Sequence, residues 1–176
     1  MGSLHLPQRR VYFAITLVVI LLDQLTKYLV VSHLPLHTGF NVIPGFFDIL
    51  HVQNTGAAFS LFANLPEAWR AFFLTGVAFV VFLFVLTYAL KARVSDARLQ
   101  TGLALIQGGA LGNLIDRLRQ GAVTDFLEVY VGTHHWPTFN VADSGITVGV
   151  LILAWDIWKH SPEKDDVNTT AIRRQV

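Results

Sequence analysis

The sequence predicts a mainly α-helical membrane protein: four transmembrane helices with both termini cytoplasmic, plus a small extracytoplasmic β-sheet and a short interfacial helix. Hydrophobic residues make up 53% of the 176-residue chain and charged residues only 14%, which is too apolar for an ordinary soluble domain. Four charge-poor stretches are each close to the roughly 20 residues that cross about 30 Å of hydrocarbon. They are 11–31, 71–90, 99–117 and 139–158, and they leave room for one domain, 1–176.

The first stretch begins like a secretory signal peptide, because Arg9 and Arg10 precede an apolar run. The residues that follow the run are Asp23-Gln24-Leu25-Thr26-Lys27, without the small residues that mark a cleavage site. We therefore expect 11–31 to be retained as a membrane helix.

Basic residues indicate how the spans are oriented, since the short loops that carry them stay in the cytoplasm. They lie before the first span, between the second and third, and after the fourth, and include Arg10, Arg93 and Lys159. The segments 32–70 and 118–138 then face the opposite side, and we expect the polar tail 161–176 to be flexible.

The two outer segments carry their own structural signals. Apolar and polar residues alternate along 122–131, which predicts a β-strand, and a weaker strand signal covers 46–53. His51 is expected to be an exposed residue of that second strand. The segment 56–62 fits a short interfacial helix.

Polar residues in the third and fourth spans fall at helical spacing near their outer ends. Gly109, Asn113, Asp116 and Arg117 share one face of the third span, and Asn140, Asp143, Ser144 and Thr147 share one face of the fourth. Glycines at intervals of four residues allow helices to touch closely. We therefore expect the two polar faces to meet near the outer interface.

Four carboxylates are predicted at this depth: Asp23, Asp116, Asp125 and Asp143. Asp23 has Lys27 four residues on, and Asp116 has Arg117 and Arg119 nearby, so both have local basic partners. Asp125 and Asp143 have none within four residues. Two such carboxylates in a low-dielectric site separate in pKa and share a proton, which lets one activate a water while the other donates to a peptide carbonyl.

Five ordered motifs resemble those of the lipoprotein signal peptidases, the bacterial signal peptidase II family. They are DQLTK (23–27), NTGAAFS (54–60), GGALGNLIDR (108–117), VTDF (123–126) and FNVADS (139–144). The resemblance covers about 11–158. Thr124 and Gly145 depart from it, since an aliphatic residue and an alanine are expected there.

The resemblance implies an aspartic endopeptidase of the bacterial cytoplasmic membrane that works at its extracytoplasmic face. It implies removal of the signal peptide from prolipoproteins, by cleavage just before the diacylglyceryl-modified cysteine. By their match to the motifs, Asp125 and Asp143 are the expected catalytic pair. The expected supporting residues are Asn54, Gly56, Asn113, Asp116, Arg117, Asn140, Asp23 and Lys27. Prolipoproteins and membrane lipid are the expected partners of a monomer.

Other functions find less support in the residues. A net charge of +1 without a basic run gives nucleic acid nothing to bind, and the histidines lack the spacing of metal ligands, so we expect no metal and no cofactor. Ser60 or Ser144 with Lys27 as base is a serine-lysine alternative. A small proton- or cation-coupled transporter that uses the buried carboxylates is a second alternative, and a non-catalytic assembly factor is a third.

Overall fold

The computed structural model describes residues 9–56 and 66–160, which contain four helices and a four-stranded antiparallel sheet. In chain order these elements are α1 (Arg10–His33), β1 (Gly39–Ile43), β2 (Phe47–Asn54), α2 (Glu67–Lys91), α3 (Ala97–Gln120), β3 (Val123–Val131), β4 (His134–His135) and α4 (Val141–His160). The predicted interfacial helix, apart from Gly56, and the predicted flexible tail lie outside the described residues.

Three helices in the described part of the chain are long and apolar enough to cross a membrane: Arg10–His33, Trp69–Lys91 and Val141–Lys159. They correspond to the first, second and fourth predicted spans. The third predicted span, α3, is an uninterrupted helix of 24 residues but is less apolar. It packs against each of the other three helices, and this packing buries four of its polar side chains inside protein: Gln100, Gln107, Asn113 and Asp116.

Small residues let α3 approach its neighbours closely, as the glycine spacing predicts. A Cβ atom placed on Gly108 would lie 2.7 Å from Cβ of Val19 in α1, and one on Gly149 of α4 would lie 2.6 Å from the carbonyl oxygen of Gly102. Gly109 is packed directly against the backbone of Ala142. No larger residue fits these crossings without moving the helices apart.

The apolar core lies at the end of the bundle away from the sheet. It consists of Tyr12, Val85, Ala89, Leu103 and Ala104. Val85 and Ala89 are also the only buried residues of α2 whose side chains are described. The last turns of α2 are therefore its main attachment to the bundle, and the described side chains of its first half are exposed or partly exposed.

The sheet has the order β1-β2-β3-β4 and covers the end of the bundle where α1 and α3 finish. Both predicted strands are confirmed, with β2 and β3 displaced from the predicted bounds by one residue at most at each end. The edge strands β1 and β4 were not predicted, because β1 shows no burial pattern and β4 has only two residues.

The prediction that His51 is exposed is wrong. Its exposure is 5%, and its Nδ1 lies 2.8 Å from the carbonyl oxygen of Leu34. The connection from α1 to β1 passes over β2 at this point, as backbone hydrogen bonds from His37 and to Thr38 show. That connection buries the ring.

Candidate active site

Lys27 lies at the centre of a buried charge cluster that joins α1 to α3. Its Nζ is 2.8 Å from Oδ2 of Asp23 and 2.9 Å from Oδ2 of Asp116, and all three side chains are less than a tenth exposed. The predicted pairing of Asp23 with Lys27 is confirmed. Asp116 takes its salt bridge from Lys27 of the other helix, and the predicted partner Arg119 is exposed. The other predicted partner, Arg117, interacts with Asp116 through its charge without a salt bridge.

Two carboxamides connect this cluster to Asp143. Lys27 Nζ donates to Oδ1 of Asn113 at 3.1 Å, and Asn113 Nδ2 donates to Oδ1 of Asp143 at 2.7 Å. Asn140 Oδ1 accepts the backbone N–H of Asp143 at 2.9 Å, and its Nδ2 donates to Asn113 Oδ1 at 3.1 Å. An ammonium or a backbone N–H can only donate, so both carboxamides are fixed in one orientation.

Asp125, on β3, accepts one hydrogen bond on each carboxylate oxygen. Asn140 Nδ2 lies 2.7 Å from Oδ1, and Asn54 Nδ2 lies 2.9 Å from Oδ2. The backbone N–H of Gly56 in turn donates to Asn54 Oδ1 at 2.8 Å and fixes that carboxamide too. The Asn140 side chain thus serves both halves of the site, since its Nδ2 donates to the Asp125 carboxylate and its Oδ1 accepts the backbone N–H of Asp143.

Burial raises the pKa of Asp125 from 3.8 to about 6, because its exposure is only 2%. The hydrogen bonds from Asn54 and Asn140 oppose the rise in pKa, and the charge of nearby Asp143 adds to it. Asp125 is therefore a carboxyl that exchanges a proton close to neutral pH, as a general acid or base must.

Asp143 lies in the first turn of α4, where the positive end of the helix dipole favours a carboxylate. It is partly exposed and lines an open apolar cavity of about 400 Å³ with Trp136, Phe139 and Val148. The Asp143 carboxylate is held by Asn113 and lies in the wall of this cavity, which is open enough for a substrate to enter.

Gly56 has a φ of +85°, which favours glycine, and a Cβ atom there would collide with Leu74 of α2. The glycine therefore brings the turn after β2 close to α2. Arg117 is half-buried, and its Nη1 donates to the carbonyl oxygen of Asn113 at 3.3 Å. No carboxylate within 9–56 or 66–160 forms a salt bridge with Arg117.

Two residues of this network were missed by the sequence reasoning. Gln24 Nε2 lies 3.1 Å from Oδ2 of Asp23 and 3.1 Å from Oδ1 of Asp116. The backbone N–H of Thr124 donates to Oδ2 of Asp116 at 3.1 Å. A glutamine inside an apolar helix, three residues before Lys27, is a signal that could have found the first, whereas a backbone donor has no sequence signal.

The model of the family described as "Signal peptidase (SPase) II" matches residues 15–159. The chain belongs to the signal peptidase II family. It is 48% identical to the "Lipoprotein signal peptidase" of Syntrophus aciditrophicus over 146 residues, 83% of this chain and 91% of that protein. It is 44% identical to the protein of the same name from Oleidesulfovibrio alaskensis over 156 residues, 88% of this chain and 98% of the relative.

Solved structures agree with this membership. A bacterial membrane enzyme determined by the in meso method at 1.9 Å superposes with a TM-score of 0.76 and 29% identity, over 86% of this chain and 94% of that one. A second structure, at 2.3 Å, gives the same TM-score at 28% identity, over 89% and 92%. With the three apolar helices, these neighbours make the chain a multi-pass membrane protein, and membership in the signal peptidase II family makes it a protease.

Proposed function

We propose that this chain is an aspartic endopeptidase that removes the signal peptide from prolipoproteins by cutting just before the diacylglyceryl-modified cysteine. Asp125 and Asp143 are its catalytic pair. One observation carries the proposal: two carboxylates from separate elements are joined through Asn113 and Asn140 at the sheet end of the bundle. The names of the relatives supply the substrate class.

The chemistry needs one carboxyl of the pair protonated and the other ionised. The ionised carboxylate takes a proton from water, whose oxygen attacks the scissile carbonyl carbon, while the protonated carboxyl gives its proton to the carbonyl oxygen. When the tetrahedral intermediate collapses, the C–N bond breaks and the leaving nitrogen takes a proton from the pair. Burial raises the pKa of Asp125 to about 6, so this carboxyl can take up and release a proton close to neutral pH. The two carboxyls exchange the acid and base roles as the intermediate collapses.

The supporting residues divide into two groups in this proposal. Asn54, Asn113 and Asn140 hold the two carboxylates, and Gly56 fixes the first of these amides. Arg117 has guanidinium donors beyond the one used on Asn113, and these hydrogen-bond carbonyl oxygens of an extended substrate. Lipid-held acyl chains fit the apolar cavity beside Asp143.

Membrane placement is part of the proposal. Helix α3 would be about 36 Å long at 1.5 Å per residue and serves as the fourth span, shielded by its three neighbours. Six basic residues lie at the end of the bundle opposite the sheet, and this excess supports a cytoplasmic location for that end: Arg9, Arg10, Lys91, Arg93, Arg98 and Lys159. The site then faces outward from the bacterial cytoplasmic membrane, where a monomer meets a substrate whose own apolar helix lies in the lipid.

The test is cleavage of a diacylglyceryl-modified prolipoprotein by the purified protein in detergent, with a metal chelator present. The wild type is expected to release the signal peptide, and Asp125→Asn and Asp143→Asn to lose cleavage while they keep the wild-type circular dichroism. A matched control is Asp48→Asn. Asp48 is a half-buried carboxylate of β2 that accepts hydrogen bonds from Asn41 and Tyr130, and this variant should cleave the substrate normally. Normal turnover in either active-site variant contradicts the catalytic assignment, and no cleavage by the wild type contradicts the substrate.

A further inference from the structure

Asp23 holds the backbone next to Asp143. Its Oδ1 accepts a hydrogen bond of 2.9 Å from the N–H of Ala142, the residue immediately before Asp143. Ala142 lies in the first turn of α4, where N–H groups have no partner within the helix. Asp23 and Ala142 are both 0% exposed, so water does not compete for this bond. The start of α4 is thereby fixed to α1.

Asp116 holds the backbone next to Asp125 in the same way. Its Oδ2 accepts a hydrogen bond of 3.1 Å from the N–H of Thr124, the residue immediately before Asp125. Asp116 is 5% exposed and Thr124 is 2% exposed. The beginning of β3 is thereby fixed to the outer end of α3.

Two donors from one turn of α1 join these two carboxylates. Lys27 Nζ contacts Oδ2 of both Asp23 and Asp116, at 2.8 and 2.9 Å. Gln24 Nε2 lies 3.1 Å from an oxygen of each and 3.2 Å from the carbonyl oxygen of Gly112. An unbroken set of buried polar contacts therefore leads from the residue before one catalytic aspartate to the residue before the other.

We propose that Asp23 and Asp116, joined through Lys27 and Gln24, are positioning residues that set the separation between the Asp125 and Asp143 carboxyl groups. The inference rests on the proposed function, since it takes this pair as catalytic. One water must reach both carboxyls, and a misplacement of about 1 Å in such a site costs on the order of 100-fold in rate. Both positioning residues are buried, at 0% and 5% exposure, and act on the pair through the backbone N–H groups that they hold.

The test compares Asp23→Asn and Asp116→Asn with Thr16→Val. Thr16 Oγ1 donates to the carbonyl oxygen of Ala104 at 3.2 Å, so the control also removes a buried α1–α3 hydrogen bond, but at a distance from the site. Both asparagine variants are expected to lose roughly 100-fold in kcat with KM within about twofold of wild type. Thr16→Val is expected to lower the melting temperature and leave kcat per folded molecule unchanged.

The pH–rate profile separates positioning from a general loss of structure. Mutual repulsion keeps the two apparent pKa values of a carboxyl pair apart. A larger distance between the two carboxyl groups weakens this repulsion and brings the acidic and basic limbs of the profile closer together. Loss of one nearby charge alone moves both limbs in the same direction. A narrower profile in Asp23→Asn and Asp116→Asn, and an unchanged one in Thr16→Val, is the result expected from positioning.

If the asparagine variants do not fold, Gln24→Leu removes one of the two joining donors and keeps Lys27. It is expected to narrow the profile with a loss of about tenfold in kcat. Wild-type kcat in the folded variants overturns the inference, and so does lost activity with an unchanged profile width. Failure of the proposed function is distinct, because then Asp125→Asn and Asp143→Asn themselves retain turnover.

Discussion

The two ends of the helical bundle are held together by different interactions. At the end away from the sheet, Tyr12, Val85, Ala89 and Leu103 form an apolar core, and the Arg9 guanidinium donates to the carbonyl oxygens of Ala89, Leu90 and Ala92. At the sheet end, apolar residues such as Val123 and Phe126 are buried beside a network of charged and carboxamide side chains, each with a specific partner. Apolar packing fixes helices approximately, whereas directional hydrogen bonds fix individual oxygens.

That contrast explains why a polar cluster persists where an apolar one would stabilise the bundle as well. Replacing a buried ion pair by apolar residues is often neutral or stabilising, so stability alone does not account for Lys27 and its two carboxylates. The proposed mechanism needs a defined position for each of two carboxyl groups, and the network holds both of them. The end of the bundle away from the sheet needs only to keep α2 attached.

The largest effect beyond the catalytic pair is expected from Gly112→Ala. A Cβ atom there would lie 2.5 Å from Oδ2 of Asp23, in the middle of the charge cluster. Displacement of that carboxylate should lower kcat on the order of 100-fold. Gly102→Ala is the counterpart at the end away from the sheet, because its Cβ would also crowd a helix crossing, 2.7 Å from Cδ2 of Leu153 and 3.0 Å from the carbonyl oxygen of Gly149, but far from the charge cluster. Steady-state kinetics of both variants should show the loss only in Gly112→Ala, and equal losses would contradict the contrast between the ends.

A second comparison uses one arginine from each end. Arg117→Ala removes donors that the proposal assigns to substrate carbonyls, so KM should rise about tenfold, as loss of a charge-assisted hydrogen bond predicts. Arg98 lies near the end of the bundle away from the sheet, with its Nη1 3.5 Å from Oδ1 of Asp156 and its side chain about half exposed. Arg98→Ala should therefore leave KM unchanged. Unchanged cleavage kinetics in Arg117→Ala would remove this residue from substrate binding.

Arg9→Ala should change stability without changing the chemistry. The guanidinium is buried and binds three carbonyl oxygens at the end of α2, so its loss is expected to cost about 2 to 3 kcal/mol of unfolding free energy. Thermal unfolding in detergent measures that cost, and Arg9→Lys should recover part of it. Activity per folded molecule should match the wild type, and a selective loss of kcat would mean that the two ends are coupled.

The smallest expected effect is a dependence of stability on pH that comes from Asp125. Its pKa is about 6 in the folded protein and 3.8 as the ordinary value, so the native state binds the proton more tightly. This contribution is fully present below pH 3.8 and is lost as the pH rises through about 6, roughly 3 kcal/mol in all. Melting temperatures from pH 4.5 to 7.5 should therefore fall more in the wild type than in Asp125→Asn. Parallel curves would contradict the burial of an ionisable carboxyl.

Much of the helical fold follows from the sequence, because length and hydropathy determine which segments can cross a membrane. The apolar spans and the strands β2 and β3 carry strong local patterns. The partner of Asp116 and the burial of His51 do not, since each depends on a contact with a distant element. The edge strand β1 is fully exposed and has no pattern to detect.

The site was predictable as a set of residues but not as a network. Helical spacing places Asn113 with Asp116 and Asn140 with Asp143, whereas the link from Asn140 to Asp125 crosses from α4 to β3. The orientation of each carboxamide depends on a donor that no spacing reveals, such as the Lys27 ammonium on Asn113.

The most direct test of the catalytic pair is a crystal structure of the protein bound to a peptide-like inhibitor with a hydroxyl group in place of the scissile carbonyl. The account predicts that this hydroxyl lies within hydrogen-bonding distance of a carboxylate oxygen of Asp125 and of a carboxylate oxygen of Asp143. A hydroxyl bound by other residues, with the two carboxylates on different sides of the inhibitor, would contradict it.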